Sequence, residues 1–225
     1  MDIGANIGYY ALLEAKIAKK GKIYAIEPID INCFLLTESI TLNSSDNITL
    51  FSNLALSDTD DEKEIYFYNK YNWSSFTLNP SAKLLKKKKI STISLDEFIA
   101  KTNFHPTVIR MDVEGHEYEI FKGGINTLKR AKKLKIFVEL HSFYLTPEKI
   151  EFIIDILQRN NFKIISVFKE PPPYIYRFRK IFNYIYKKAN LPIYGKIEIS
   201  NYKDLKEYLI KFNVHLECFF VKNVE

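Results

Sequence analysis

Tryptophan occurs once, cysteine and methionine twice each, and glycine seven times in 225 residues. The two cysteines, Cys33 and Cys218, lie far apart and offer no C-x-x-C spacing for a metal. Both read as buried apolar thiols in a reducing, cytoplasmic setting. So few glycines, with eight prolines, exclude collagen-like and low-complexity chains. No run of about 18 apolar residues occurs, so no transmembrane helix is expected. No charged-then-apolar opening with a small-residue cleavage site is found, so export by a cleaved signal peptide is not expected. What remains, 47% apolar and 27% charged, is the composition of a globular chain. The length fits one domain, with or without an insertion.

Positive charge is in excess but unevenly placed. Lys and Arg number 33 against 27 Asp and Glu, and residues 169–211 hold ten of the first and four of the second. The rest of the chain is balanced. That segment is where an anionic partner is expected: phosphate, acidic glycan, nucleic acid or a membrane surface. The short run Lys86 to Lys89 reads as a solvated loop.

Short β-branched runs alternate with helical stretches. Residues 21–27, 47–55, 63–68, 107–111, 135–140, 162–168 and 217–221 read as strands. Residues 31–43 and 117–128 read as helices. Ser94 caps a short helix, and Thr146 with Pro147 opens another that runs to about Asn160. This alternation predicts a mostly parallel sheet covered on both faces, with ligands beyond the carboxyl ends of its strands.

Four strand ends carry chemistry. The first is Asp2-Ile3-Gly4-Ala5-Asn6-Ile7-Gly8, an acid followed by two glycines and a helix. Glycine allows a tight turn and close approach to a ligand, and a helix N-terminus favours negative charge. The spacing fits neither the dinucleotide nor the Walker pattern. The second is Glu27, a carboxylate suited to ribose hydroxyls, followed by Pro28. A glycine loop with an acid at the next strand end suggests an adenosine-type cofactor, S-adenosylmethionine rather than NAD. The third is Arg110-Met111-Asp112-Val113-Glu114-Gly115-His116-Glu117. Its three acids and one histidine suit a metal, acid–base work or a clamp on the cofactor amine. The fourth is Glu139 and His141, two apart and on one face of a strand. No metal site is assigned. The loop Trp73-Ser74-Ser75-Phe76 reads as a wall of the acceptor pocket or as a plain surface turn.

These pieces resemble the FkbM-type family of S-adenosylmethionine-dependent methyltransferases. The resemblance rests on D-I-G-A-N-I-G at 2–8, I-E-P at 26–28, L-A-L-S-D at 54–58, T-I-S-L-D-E-F at 92–98, M-D-V-E-G-H-E at 111–117, F-K-G-G at 121–124 and V-E-L-H at 138–141. It covers roughly residues 2–168. It implies the α/β class I methyltransferase fold, a Rossmann-like, mostly parallel seven-stranded sheet with the last strand antiparallel. It places Asp2, Gly4, Asn6 and Gly8 at the methionine end of the cofactor, Glu27 at ribose, and the turn from Ala55 to Asp58 near adenine. It turns Asp112, Glu114 and His141 to the transfer site. It implies O-methylation of a sugar, glycan or other small hydroxyl compound. The base is Asp112 or His141, unless a metal takes that part.

Two departures stand out. Only three residues precede Gly4, so the first strand reads as truncated and a longer native product is expected. Residues 169–211 read as a basic aromatic insertion between a core of 1–168 and a last strand in 212–225. Within it, Phe178, Ile181, Phe182, Ile185 and Ala189 form an apolar stripe at helical spacing. The helix is read as a lid. An amphipathic contact of 174–189 with anionic lipid or a lipid-linked glycan is the alternative, with nucleic acid or a partner protein behind it. A second functional reading is an inactive cofactor-binding domain that works as an adaptor through this segment.

Overall fold

A computed structural model describes residues 1–68, 74–76, 83–169 and 195–223. The chain runs β1 (Asp2–Ile3), α1 (Tyr9–Ile17), β2 (Ile23–Glu27), α2 (Asp30–Leu42), β3 (Ile48–Ser52), β4 (Leu54–Ser57), β5 (Asp61–Tyr68), β6 (Ser74–Ser75) and β7 (Leu84–Ser94). It continues with α3 (Leu95–Thr102), β8 (Val108–Met111), α4 (Glu117–Gly123), α5 (Ile125–Arg130), β9 (Lys133–His141), α6 (Pro147–Arg159), β10 (Lys163–Lys169) and β11 (Gly195–Ile197). The last two elements are α7 (Tyr202–Phe212) and β12 (His215–Asn223).

The large sheet has the order β11-β10-β12-β9-β8-β1-β2-β3. Pairing from β3 through β9 is parallel, and β12 runs antiparallel to both β9 and β10. The expected sheet and its antiparallel last strand are therefore present; among the described residues β11 adds an edge beside β10. Strand order reverses beside β1, which pairs with β2 on one side and β8 on the other.

Side chains alternate across the sheet as the two-residue period requires. Ile23 and Ala25 pack with Ala11 and Ala15 of α1 and Leu36 of α2. Ile26, on the opposite face of β2, joins Leu95 and Phe98 of α3 in the main core. Helix α6 buries Ile150, Ile153, Ile154 and Leu157, spaced i, i+3, i+4, i+7, against Val138, Leu140 and the α7 residues Leu205 and Leu209. Each such side chain contributes about 1.5–3 kcal/mol by leaving water. Two caps appear where expected: Ser94 Oγ accepts from Glu97 N, and Thr146 Oγ1 from Lys149 N.

The strand expected at 63–68 is β5, and it belongs to a second sheet, β4-β7-β5-β6, whose other strands were not foreseen. The stretch 47–55 is not one strand. Asn53, at φ 57°, turns the chain from β3 into β4 of the other sheet. The lysine run 86–89 is no loop but the middle of β7, where Lys87 pairs with Glu64, Lys88 with Asp30 and Lys89 with Glu62. The helical stretch 117–128 divides at Gly124. Of the basic segment, residues 195–211 supply β11 and most of α7. The proline run and the apolar stripe of 178–189 lie outside the described residues. No helix among the described residues is long and apolar enough to cross a membrane.

Candidate active site

The point beside β1 where strand order reverses opens a cleft, the expected ligand position in such sheets. The cleft is open to solvent, and its enclosed part is small, about 90 Å³. Gly4, Asn6, Glu27 and Asp112 to Glu114 form the main-sheet side; Leu54 to Leu56, Ile65 and Ser74 to Phe76 come from the second sheet.

Gly4 makes the close approach possible. Its φ is +77°, and a Cβ there would stand 2.0 Å from the Asp112 carbonyl oxygen. Only glycine lets the loop after β1 lie against the end of β8. Glu27, the last residue of β2, is 3% exposed. Its Oε2 accepts from Asn6 N at 2.8 Å, and its Oε1 from Ile29 N at 3.0 Å and Asn32 Nδ2 at 3.1 Å. Burial pushes the Glu27 carboxyl up, and these three donors pull it back. A carboxylate has about four acceptor positions, so one remains open at the cleft.

Behind the loop, Arg110 joins the ends of β1 and β8. Its Nη1 donates to Asp2 Oδ1 at 2.9 Å and its Nη2 to Asp112 Oδ2 at 3.0 Å, while the Tyr10 ring lies 3.9 Å from the guanidinium. Asp2 is fully buried.

Asp112, Glu114 and His141 converge: one ligand atom from each lies within 4.8 Å of the others. Glu114 takes φ 51°, which turns the chain after β8. The Asp112 and Glu114 side chains are 30% and 39% exposed and line the cleft, whereas His141, at 4%, stands behind them. Burial would lower the His141 imidazole, but the Glu117 and Glu139 carboxylates outweigh it and raise the pKa to about 11. Burial raises Asp112 to about 6, with Glu139 adding to it, and Glu114 to about 7 against the pull of His141.

His116 does not join this group. It faces the second sheet, with Nε2 2.9 Å from Ser57 Oγ and its ring centre 4.4 Å from that of Phe76. Burial pushes its pKa down to about 4, so the ring is neutral near pH 7.

Of the cofactor residues expected from the sequence, Gly4, Asn6, Glu27 and Ala55 line the cleft. Three stand elsewhere. Asp2 is tied to Arg110; Gly8 at φ +92° packs against Leu36; the Asp58 carboxylate is taken by Lys63 at 2.5 Å and Lys122 at 3.0 Å. Ser74 to Phe76 wall the cleft as one reading of that loop had it, while Trp73 lies outside the described residues. Asn32 and Arg110 were not singled out. Asn32 gave no signal, and Arg110 only its place two residues before Asp112.

Known proteins bear on this geometry. The model of the methyltransferase FkbM domain matches residues 2–164. Hexuronic acid methyltransferase AglP of Haloferax volcanii is 31% identical over 144 residues, which is 63% of this chain and 55% of that protein. The chain thus spans about half the length of the curated relative it matches. The crystal structure of methyltransferase FkbM from Methylobacillus flagellatus aligns with a TM-score of 0.51 at 20% identity, over 73% of this chain and 38% of that one. That likeness speaks to the fold. With the domain matched over most of its length, this chain belongs to the FkbM methyltransferase family.

Proposed function

We propose that the chain is an S-adenosylmethionine-dependent methyltransferase acting on a hydroxyl of a sugar, glycan or other small acceptor. The observation that carries this is the cleft itself. It puts the glycine loop and the Glu27 carboxylate on one side of the strand-order reversal, and the Asp112 and Glu114 carboxylates on the other. The residues fit the cofactor. Gly4 lets the loop close onto the end of β8 at the floor of the cleft, Glu27 keeps an acceptor position for ribose hydroxyls, and Leu54, Leu56 and Ile65 offer an apolar wall to a base. When bound, the cofactor supplies a methyl group already activated on sulfonium.

The chain's own part is alignment and proton removal. The cleft walls hold the acceptor oxygen in line. A hydroxyl is a poor nucleophile at neutral pH and gains from a base within reach. Asp112 and Glu114 are the groups of the cluster that face the cleft, so one of them takes the proton. His141, behind them, orients the pair. A glycan acceptor is supported by the relative named for a hexuronic acid. Incubation with methyl-labelled cofactor and a panel of neutral sugars and uronic acids tests this. Label transfer that Asp112→Asn reduces at least tenfold is expected. Absence of transfer to every acceptor, in a chain that binds cofactor, would remove the sugar assignment.

A further inference from the structure

Just behind the cleft wall, His141 sits among three carboxylates, Glu114, Glu117 and Glu139. His141 Nδ1 stands 2.7 Å from Glu117 Oε1, which also accepts the Gly115 N–H at 3.1 Å. Glu117 is fully buried. This pairing locks the ring and commits Nδ1, so Nε2 is the nitrogen turned to Glu114 and Glu139. The His141 side chain is 4% exposed, and its Nε2 stands 3.5 Å from Glu139 Oε1 and 3.6 Å from Glu114 Oε2. Such separations are long for hydrogen bonds. The 3.6 Å between His141 Nε2 and Glu114 Oε2 suits two donors of one ion, since bonds of about 2.1 Å hold donors about 3.0–4.2 Å apart, and the widest pair of the three closes by about half an ångström on binding. The donor atoms of Asp112, Glu114 and His141 all fall within 4.8 Å of one another. A histidine whose second nitrogen bonds a buried carboxylate is the arrangement that orients imidazole towards a metal.

Charge points the same way. Asp112, Glu114, Glu117 and Glu139 surround one imidazole. Arg110 offsets Asp112, and His215 reaches Glu139 only at 3.8 Å.

We propose that Asp112, Glu114 and His141 bind a divalent cation, which takes the place of the Nε2 proton of His141 and releases it to solvent, with Glu117 as the positioning residue behind His141. One nitrogen and two carboxylate oxygens suit a cation of the Mn²⁺ or Zn²⁺ kind better than an all-oxygen ion. The cation places a Lewis acid at the cleft wall beside the acceptor. This role rests on the transferase reading above; the binding itself does not.

The test is calorimetric titration of the whole chain with MnCl₂, repeated with ZnCl₂, with free Mn²⁺ followed by electron paramagnetic resonance. One saturable site is expected. Glu114→Gln and Glu117→Gln should each weaken it 10- to 100-fold. Circular dichroism checks that each variant is folded, and the half-exposed Glu114 keeps the test usable should Glu117→Gln fail to fold. A folded chain with no saturable site for either ion overturns the proposal, and so does an affinity that Glu114→Gln leaves unchanged. The same samples are titrated with S-adenosylhomocysteine. Binding of S-adenosylhomocysteine without metal binding removes only the cation site; metal binding alone removes the transferase reading and keeps the cation.

Discussion

The backbone N–H of Asn6 donates to Glu27 Oε2 at 2.8 Å, joining the loop after β1 to the end of β2 across 21 residues. The bond shapes the loop and aims the carboxylate at once. Ile29 N and Asn32 Nδ2 hold the other oxygen. The glycine loop and the acid therefore form one unit, which makes several parts of the structure open to measurement.

Gly4→Ala should destabilise the chain by about 2–4 kcal/mol, because the residue is at positive φ and its new methyl would strike the Asp112 carbonyl. Urea denaturation measures this. A change below about 0.5 kcal/mol would mean that the two strand ends do not lie so close.

Arg110→Met should cost about 3–5 kcal/mol, since it leaves Asp2 buried without its cation. The double variant with Asp2→Asn should recover part of the loss, as expected when the penalty is an unpaired charge. Equal stability of the single and double variants would contradict that origin.

Asp58 gives a pH signature. Burial would raise its carboxyl, but Lys63 and Lys122 outweigh it and hold it below the ordinary 3.8. A depressed folded value adds stability above the unfolded value and loses it as pH falls through the folded one. Asp58→Asn should therefore cost about 1 kcal/mol at pH 7, the lysines being partly in water, and progressively less below pH 4. Denaturation midpoints from pH 7 to pH 2 measure the gap. A gap that does not narrow would contradict the pairing.

Much of this was legible before the structure, for identifiable reasons. The strand ends Glu27 and Met111 each close a run rich in β-branched residues on or beside an acid, and Ile3 sits between an acid and a glycine, so local pattern and site coincide. The second sheet was hidden because β7 carries four consecutive lysines, whose strand character comes from pairing with β5 rather than from burial of their own. Asn53 concealed the break between β3 and β4, because a single left-handed residue leaves no mark in hydrophobic periodicity. The ties of Asp2 and Asp58 to Arg110, Lys63 and Lys122 were not legible either. Asp2 and Arg110 lie 108 positions apart, and Asp58 and Lys122 lie 64 apart, so only the folded chain brings them together.

The most direct test of cofactor use is calorimetric titration of the chain with S-adenosylhomocysteine, beside Glu27→Ala. Saturable one-to-one binding is predicted, weakened in the variant by about 1–3 kcal/mol through the loss of hydrogen bonds to a charged group. No saturable binding by the folded chain, or the same dissociation constant in both proteins, would contradict a cofactor site built on Glu27.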